Sequence, residues 1–432
     1  MMIPTGILPT AKLQKIDRWL GVPTCFLLTG LRKLVERATP AVALRPRNIL
    51  FIKLAEQGST VLAASAIQNA VEMVGRENVY FAVFAENRFI LDILDLIPPE
   101  NVFTIDAGSI RTLAVSAWKA LGAIRRLRFD AAIDLEFFAR SSAAFTFLTG
   151  ARRRVGFRTF YGEGPYRGDL MTHRLLYNPY LHTSQTFALM VAALTVNPAQ
   201  LPTFGVQPPE LDATCATFKP RFAEVTEVRE LLLKETGGRS SAGGPVILLN
   251  ANASDLLPLR RWAPERYATL ARRLLDEFPA ACVLMTGAPG EAPAAERLVT
   301  ETGSRRCFSV AGKTTLRQLL VLYTLADLLV TNDSGPAHFA SLTPIHVVTL
   351  FGPETPRLFA SLTSRNVPLW SGVACSPCVN AYNNRQSPCR NNVCMQQIGV
   401  DEVFAAACAA LRRRRLAGAE HDGTSALAGR AQ

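Results

Sequence analysis

The stretch "TNDSGPAHFASL", residues 331–342, follows the apolar run "LADLLV". It places Asp333, Ser334, Gly335 and His338 around the start of an expected helix. A helix start carries free backbone N–H groups and the positive end of the macrodipole, which suits a phosphate. Gly335 lets the backbone approach a ligand with no Cβ in the way. Pro336 fits the first helical turn, and Asp333 or Ser334 could cap it. His338, in the same turn, can donate to a diphosphate oxygen in a charge-assisted contact. The same residues also make an ordinary cap with a satisfied histidine, and spacing alone leaves the two readings even.

A second group with chemical potential is "CSPCVNAYNNRQSPCRNNVC", which holds Cys375, Cys378, Cys389 and Cys394. A C-x2-C followed by another cysteine pair suits a structural Zn or Fe ion with four thiolate ligands. The second pair is wider than a standard knuckle, and free thiols or one disulfide are the alternatives. The other five of the nine cysteines stand alone. An odd count with no secretory pattern at the start fits a reducing cytoplasm.

The elements that must carry these residues are legible as an alternation. "NILFIKL", "VYFAVF", "VFTID" and "AAIDLE" are short apolar strands, each followed by a helical stretch. The alternation blurs between about 160 and 225 and restarts with "VILLN", "CVLMTG", "DLLVT" and "HVVTLF". Continuous apolar strands separated by helices imply parallel sheets covered on both faces. In "APERYATLARRLLDEF", Tyr267, Leu270, Ala271, Leu274 and Phe278 share one helix face. The spacing predicts two α/β halves: a Rossmann-like N-terminal half over 46–235 and a C-terminal half over 245–411, joined by a Gly/Ser-rich link. Residues 1–45 form an N-terminal extension, and 416–432 are expected to be a disordered tail.

With 432 residues the chain is too long for one ordinary core, and its net charge of +12 points to anionic partners. No aromatic-basic module for nucleic acid is evident. "WLGVPTCFLLTGLRKL" (19–34) mixes Trp, Phe and Leu with Arg and Lys. It suits either a membrane interface or the surface of a domain.

Several segments, in order, resemble glycosyltransferase family 9, the ADP-heptose:lipopolysaccharide heptosyltransferases and their relatives. They are "NILFIKLAEQGSTVLAASAIQNA", "FDAAIDLEFFARSSAAFTFLTGARRRVGF", "LLNANASDLLPLRRWAPERYATLARRL", "MTGAPGEAPAAERL", "VAGKTTLRQLLVLYTLADLLV" and "DLLVTNDSGPAHFASL" with "VVTLFGPETP". The resemblance implies a GT-B fold, two Rossmann-like domains facing across a cleft. It implies an inverting transferase that moves a sugar, a heptose from ADP-heptose, to a lipopolysaccharide core or related glycan, with no cofactor required for catalysis. Transfer to a protein side chain, or a catalytically inactive nucleotide-sugar-binding scaffold, are the rival readings.

By position in the family motifs, the donor would meet Asn252, Ser254, Arg260, Glu291, Lys313, Asp333, Ser334, Gly335 and His338, with His338 also assisting the leaving diphosphate; a loop lysine such as Lys313 is as readily plain surface. The acceptor half would use Gly58, Glu136, Arg152 and Arg154, and Lys53 is either structural or a contact for the acceptor's phosphates. Members of the family usually carry an aspartate base directly after the N-terminal glycine. Here Gly58 is followed by Ser59, a poor base, which shifts the expectation to Glu56, with Glu136 as second candidate. Asp134 is expected to face away from the cleft or into the core, and is the less favoured carboxylate. The acceptor's phosphates, the basic clusters and the N-terminal segment together imply a cytoplasmic protein in peripheral contact with the anionic inner face of the bacterial inner membrane.

Overall fold

The computed structural model describes residues 10–36, 45–211, 217–241, 243–253 and 257–428. The chain divides into two compact units. One takes residues 1–212 together with Val379–Ser387, the other the remainder.

The first unit holds a parallel sheet of β1 (Ile49–Ile52), β2 (Val79–Phe84), β3 (Val102–Ile105), β4 (Ala131–Asp134), β5 (Arg153–Phe157) and β6 (His173–Leu175) in the order β3-β2-β1-β4-β5-β6. The second holds β7 (Val246–Asn250), β8 (Cys282–Met285), β9 (Cys307–Ser309), β10 (Leu328–Asn332), β11 (His346–Phe351) and β12 (Asn366–Trp370) in the order β12-β11-β10-β7-β8-β9. Numbered within each unit, both sheets run 3-2-1-4-5-6, the doubly wound order in which ligands gather at the carboxyl ends of the central strands. The central strands β1, β4, β7 and β10 are buried along their whole length. This is why they read as unbroken apolar runs rather than as alternating ones.

The helix Pro264–Glu277 buries Tyr267, Leu270, Ala271 and Leu274 in the second core, the face expected from its period. Three features differ from the sequence reading. The units part near residue 212 rather than at the Gly/Ser stretch. Helix Phe222–Thr236 explains this, since Glu224 bonds Arg317 and Glu235 bonds Lys313, tying it to the second unit. The tail expected to be disordered is mostly helical, because the helix beginning at Val400 continues to Ala428. Propagating a helix is far easier than nucleating one, and this stretch is rich in alanine. Residues 429–432 lie outside the described set. The extension contains helix α1 (Thr10–Val35), packed along one side on the first unit. No helix among the described residues is long and apolar enough to cross a membrane.

Candidate functional site

In the first unit, Lys53 follows β1 directly, and the chain leads through Leu54 and Ala55 to Glu56, just before helix α2 (Gln57–Leu62). Glu56 sits at φ 67°, in the left-handed region. For a residue with a Cβ this conformation is strained and needs outside support. The support is visible. Ser59 Oγ donates to Glu56 Oε2 at 3.0 Å, Lys53 Nζ lies 3.5 Å from the same oxygen, and Arg385 pairs with Oε1. Glu136 braces the loop from beneath. Its Oε1 accepts the N–H groups of Leu54 and Ala55 at 2.9 and 3.0 Å, and its Oε2 meets Lys53 at 3.2 Å.

Arg385 arrives on Val379–Ser387, a segment of the first unit despite its late place in the chain. Tyr382 seats that segment: its hydroxyl donates to the Tyr177 carbonyl at 2.6 Å, and its ring packs on Phe138 and Tyr177.

This geometry sorts the expected acceptor-side residues. Glu56 and Ser59 are brought together, and Gly58 lies beside them in α2. Lys53 is fully buried and donates to the Ala55 carbonyl, which fits the structural one of its two expected roles. Glu136 spends both oxygens on Lys53 and the backbone, which fits a brace better than a base. Arg154, expected on the acceptor side, is buried. It bonds Glu36 through one nitrogen to both oxygens, donates to the carbonyls of Leu170 and Ala151, and lies over Phe147. Arg152, on the same stretch, is exposed. Asp134 is in the core as expected, paired with Arg167 and accepting from Ser142. Burial pushes Asp134 up to about 6 against the pull of Arg167.

In the second unit, a cavity of about 1150 Å³ opens at the carboxyl ends of β7 and β8. Asn252, Thr286, Glu291, Arg261 and Arg266 line it. Glu291 Oε2 accepts the Ala288 N–H at 2.7 Å. Gly287 permits this arrangement, because a Cβ there would stand 3.0 Å from Glu291 Oε2 and 3.1 Å from Asn252 Nδ2. The cavity loop is tied to β10 by Asn332, which donates to the Ala251 and Asn252 carbonyls and accepts from Trp262 N–H.

Directly after Asn332 come Asp333 and the helix Gly335–Ala340, with Ser334 at its N-cap position. Ser334 does not cap with its side chain; its hydroxyl donates back to the Asn332 carbonyl. His338 is buried in the first turn. Arg260, in the turn Pro258–Arg260, points to this end. Its guanidinium lies 3.9 Å from Asp333 and 3.5 Å from Glu354. Arg260 and Asp333 are therefore neighbours, as their motif positions imply. Lys313 pairs with Glu235 at 2.6 Å. Ser254 lies outside the described residues.

Of the four clustered cysteines, Cys375 is exposed, Cys378 and Cys389 are half-buried and Cys394 is buried. Burial raises Cys394, and the neighbouring Cys378, Cys375 and Cys389 add to the rise. Among the described residues no three Cys, His, Asp or Glu side chains are grouped to hold a metal. Cys389 Sγ turns instead to the Asn391 carbonyl. The arrangement does not fit the expected structural ion.

Three participants escaped the sequence reading. Glu354 lies within "VVTLFGPETP", so its signal was present in a motif used only for resemblance. Arg167 and Arg385 gave none, because their partners lie 33 and 329 residues away.

Comparison with known proteins places these sites in context. Residues 117–387 match the family described as Glycosyltransferase family 9 (heptosyltransferase). The lipopolysaccharide heptosyltransferase 2 of Salmonella typhimurium is 32% identical over 102 residues, 23% of this chain and 29% of that protein. The chain thus spans under a third of that relative. The lipooligosaccharide heptosyltransferase 2 of Haemophilus ducreyi is 27% identical over 254 residues, 57% of this chain and 67% of that protein. In fold, the structure of Escherichia coli ADP-heptose lps heptosyltransferase II superposes with a TM-score of 0.61 at 18% identity, covering 85% of this chain and 99% of that one.

Proposed function

The chain belongs to glycosyltransferase family 9, and we propose that it is an inverting transferase moving a heptose from ADP-heptose to a saccharide acceptor of the lipopolysaccharide core. The observation that carries the reading is Glu56: a carboxylate in a strained backbone, aimed by Ser59, Lys53 and Arg385, at the end of the first strand. The family's usual aspartate is replaced by Ser59, and Glu56 supplies a carboxylate in the same loop.

In this reading Glu56 takes the proton from an acceptor hydroxyl. The hydroxyl oxygen forms a new bond to the anomeric carbon from the face opposite the diphosphate. The bond between that carbon and the diphosphate oxygen breaks, and ADP leaves with the electron pair. Arg260 and the start of the helix Gly335–Ala340 offset the charge that develops on the departing diphosphate, and His338 can donate to it. The cavity beside Asn252 and Glu291 takes the adenosine end, with Glu291 accepting from ribose hydroxyls. The phosphorylated acceptor is lipid-anchored, which places the work at the cytoplasmic face of the inner membrane.

The test is release of ADP from ADP-heptose with and without a heptose-deficient core acceptor. Turnover dependent on that acceptor is expected. Glu56→Gln should lower it at least about a hundredfold, with donor affinity little changed. Donor binding without turnover on any acceptor would point to the scaffold reading, which the absent aspartate favours. A fully active Glu56→Gln protein would reassign the base.

A further inference from the structure

Helix α1 is bound on one side and, among the described residues, bare on the other. On the inner side Cys25 is fully buried, its thiol turned to the Arg140 carbonyl. Gly21 passes so near Arg140 that a Cβ would stand 2.6 Å from that side chain's own Cβ. Asp17 accepts the N–H groups of Arg140 and Ser141, and Thr29 Oγ1 accepts that of Asp169. Arg32 pairs with Asp169 at 2.6 Å, and Glu36, just beyond the helix, pairs with Arg154. The helix is fixed to the first unit along its length, and the only two acidic residues between 10 and 36 are both turned inward.

The outer side carries Trp19, Leu20, Phe26, Leu27, Leu31 and Leu34, each between 47% and 77% exposed. They recur at i, i+1, i+7, i+8, i+12 and i+15, a single stripe along the helix. Exposed apolar residues scattered singly are ordinary, but a continuous stripe of this size marks an interaction surface. Exposed Lys12, Lys15, Arg18 and Lys33 lie on the same helix. At its far end Arg32, Arg158 and Arg174 share the single carboxylate of Asp169, at 2.6, 3.4 and 2.7 Å. That leaves two positive charges in excess where this end of the helix meets the first unit.

We propose that this face of α1 docks on an anionic lipid bilayer, lying in the interface plane. The Leu and Phe side chains would enter the acyl boundary, Trp19 would sit at headgroup level, and the lysines would reach lipid phosphates. The charge pattern selects this occupant. A second copy of α1 laid on the first would bring two sets of exposed cations together with no carboxylate between them, a costly pairing. This inference deepens the membrane placement proposed above and identifies the element responsible. It does not depend on catalysis.

The test is flotation of the full chain with phosphatidylethanolamine–phosphatidylglycerol vesicles of about three to one, and with phosphatidylcholine vesicles. Salt-sensitive binding to the anionic vesicles is expected. The double substitution Phe26→Glu and Leu27→Glu should lower partitioning at least about tenfold while leaving the melting temperature and circular dichroism unchanged, because both side chains face solvent. Lys15→Glu with Lys33→Glu should weaken binding several-fold through the headgroup attraction. The proposal is overturned if the full chain does not float with anionic vesicles, or if it binds neutral vesicles equally well. It is also overturned if the Phe26/Leu27 variant floats normally, or if a lipid-free dimer forms that this variant dissociates. A protein that floats but transfers no sugar refutes the transferase reading and leaves this one standing.

Discussion

The two units share a strand order yet end their first strands differently. β1 delivers Lys53 and Glu56 into a closed set of ion pairs with Glu136 and Arg385, where every charge has a partner nearby. β7 delivers Asn250 and then Asn252, neutral amides, beside an open cavity. A fixed carboxylate suits proton transfer, which needs one group held in one place. An open polar cavity suits a ligand that must enter and leave. One architecture thus carries a charge-locked end and a cavity end, and the difference lies in the residues that follow the first strand.

The contrast can be broken most severely beneath the first unit's loop. Asp134→Asn would strand Arg167, fully buried on its other side against the Phe137 carbonyl. Removing one member of a buried pair costs about 3–5 kcal/mol, so chemical denaturation should show that loss. Replacing both residues by apolar ones of like volume should recover much of it.

Arg385→Ala tests whether the locked end is held by the distant segment. Turnover should fall about tenfold, a loss of about 1.4 kcal/mol in transition-state stabilisation, with KM for the donor unchanged. Arg385→Lys should restore part of it. A loss in donor KM instead would move Arg385 into the binding machinery. The converse result is expected at the cavity end. Glu291→Ala should weaken donor binding about ten- to a hundredfold, consistent with one lost hydrogen bond to a charged group, as read by calorimetry, with chemistry in the bound complex unaltered.

The smallest effect separates the units by acid. Burial lowers His173, in the first unit, to about 4 from 6.5. Its neutral form is favoured by folding, so its contribution is present above pH 6.5 and is lost as pH falls toward 4. The hydrogen bond from Arg317 lowers Glu224, in the second unit, to about 2 from 4.5. Its contribution is present above pH 4.5 and is lost as pH falls toward 2. The stability difference between wild type and His173→Gln should therefore change across the higher window. That between wild type and Glu224→Gln should change only across the lower one. Coincident windows would show that the two units do not titrate apart.

Much of this was written in local sequence. The strands around 49, 79, 131, 246, 282, 328 and 346 are legible because a strand buried on both faces must be apolar throughout. The Pro264 helix is legible because its period is intact. The neighbourhood of Asp333, Gly335 and His338 is legible because helix starts obey short-range rules. What stayed illegible shares one cause. The partners of Lys53, Arg154 and Lys313 (Glu136, Glu36 and Glu235) lie far off in the chain, and sequence carries no sign of them. The cysteine spacing suggested a metal because spacing says nothing of where thiols point.

By itself, then, the order of residues determined two doubly wound halves, the family, and which loops follow the first and fourth strand of each sheet, since these rest on periodicity and motifs a few residues long. Tertiary structure decided which carboxylate is aimed and which charges are silenced. Arg385 meets Glu56 across 329 residues of chain, and no short-range rule links two such positions until packing through Tyr382 brings them into contact.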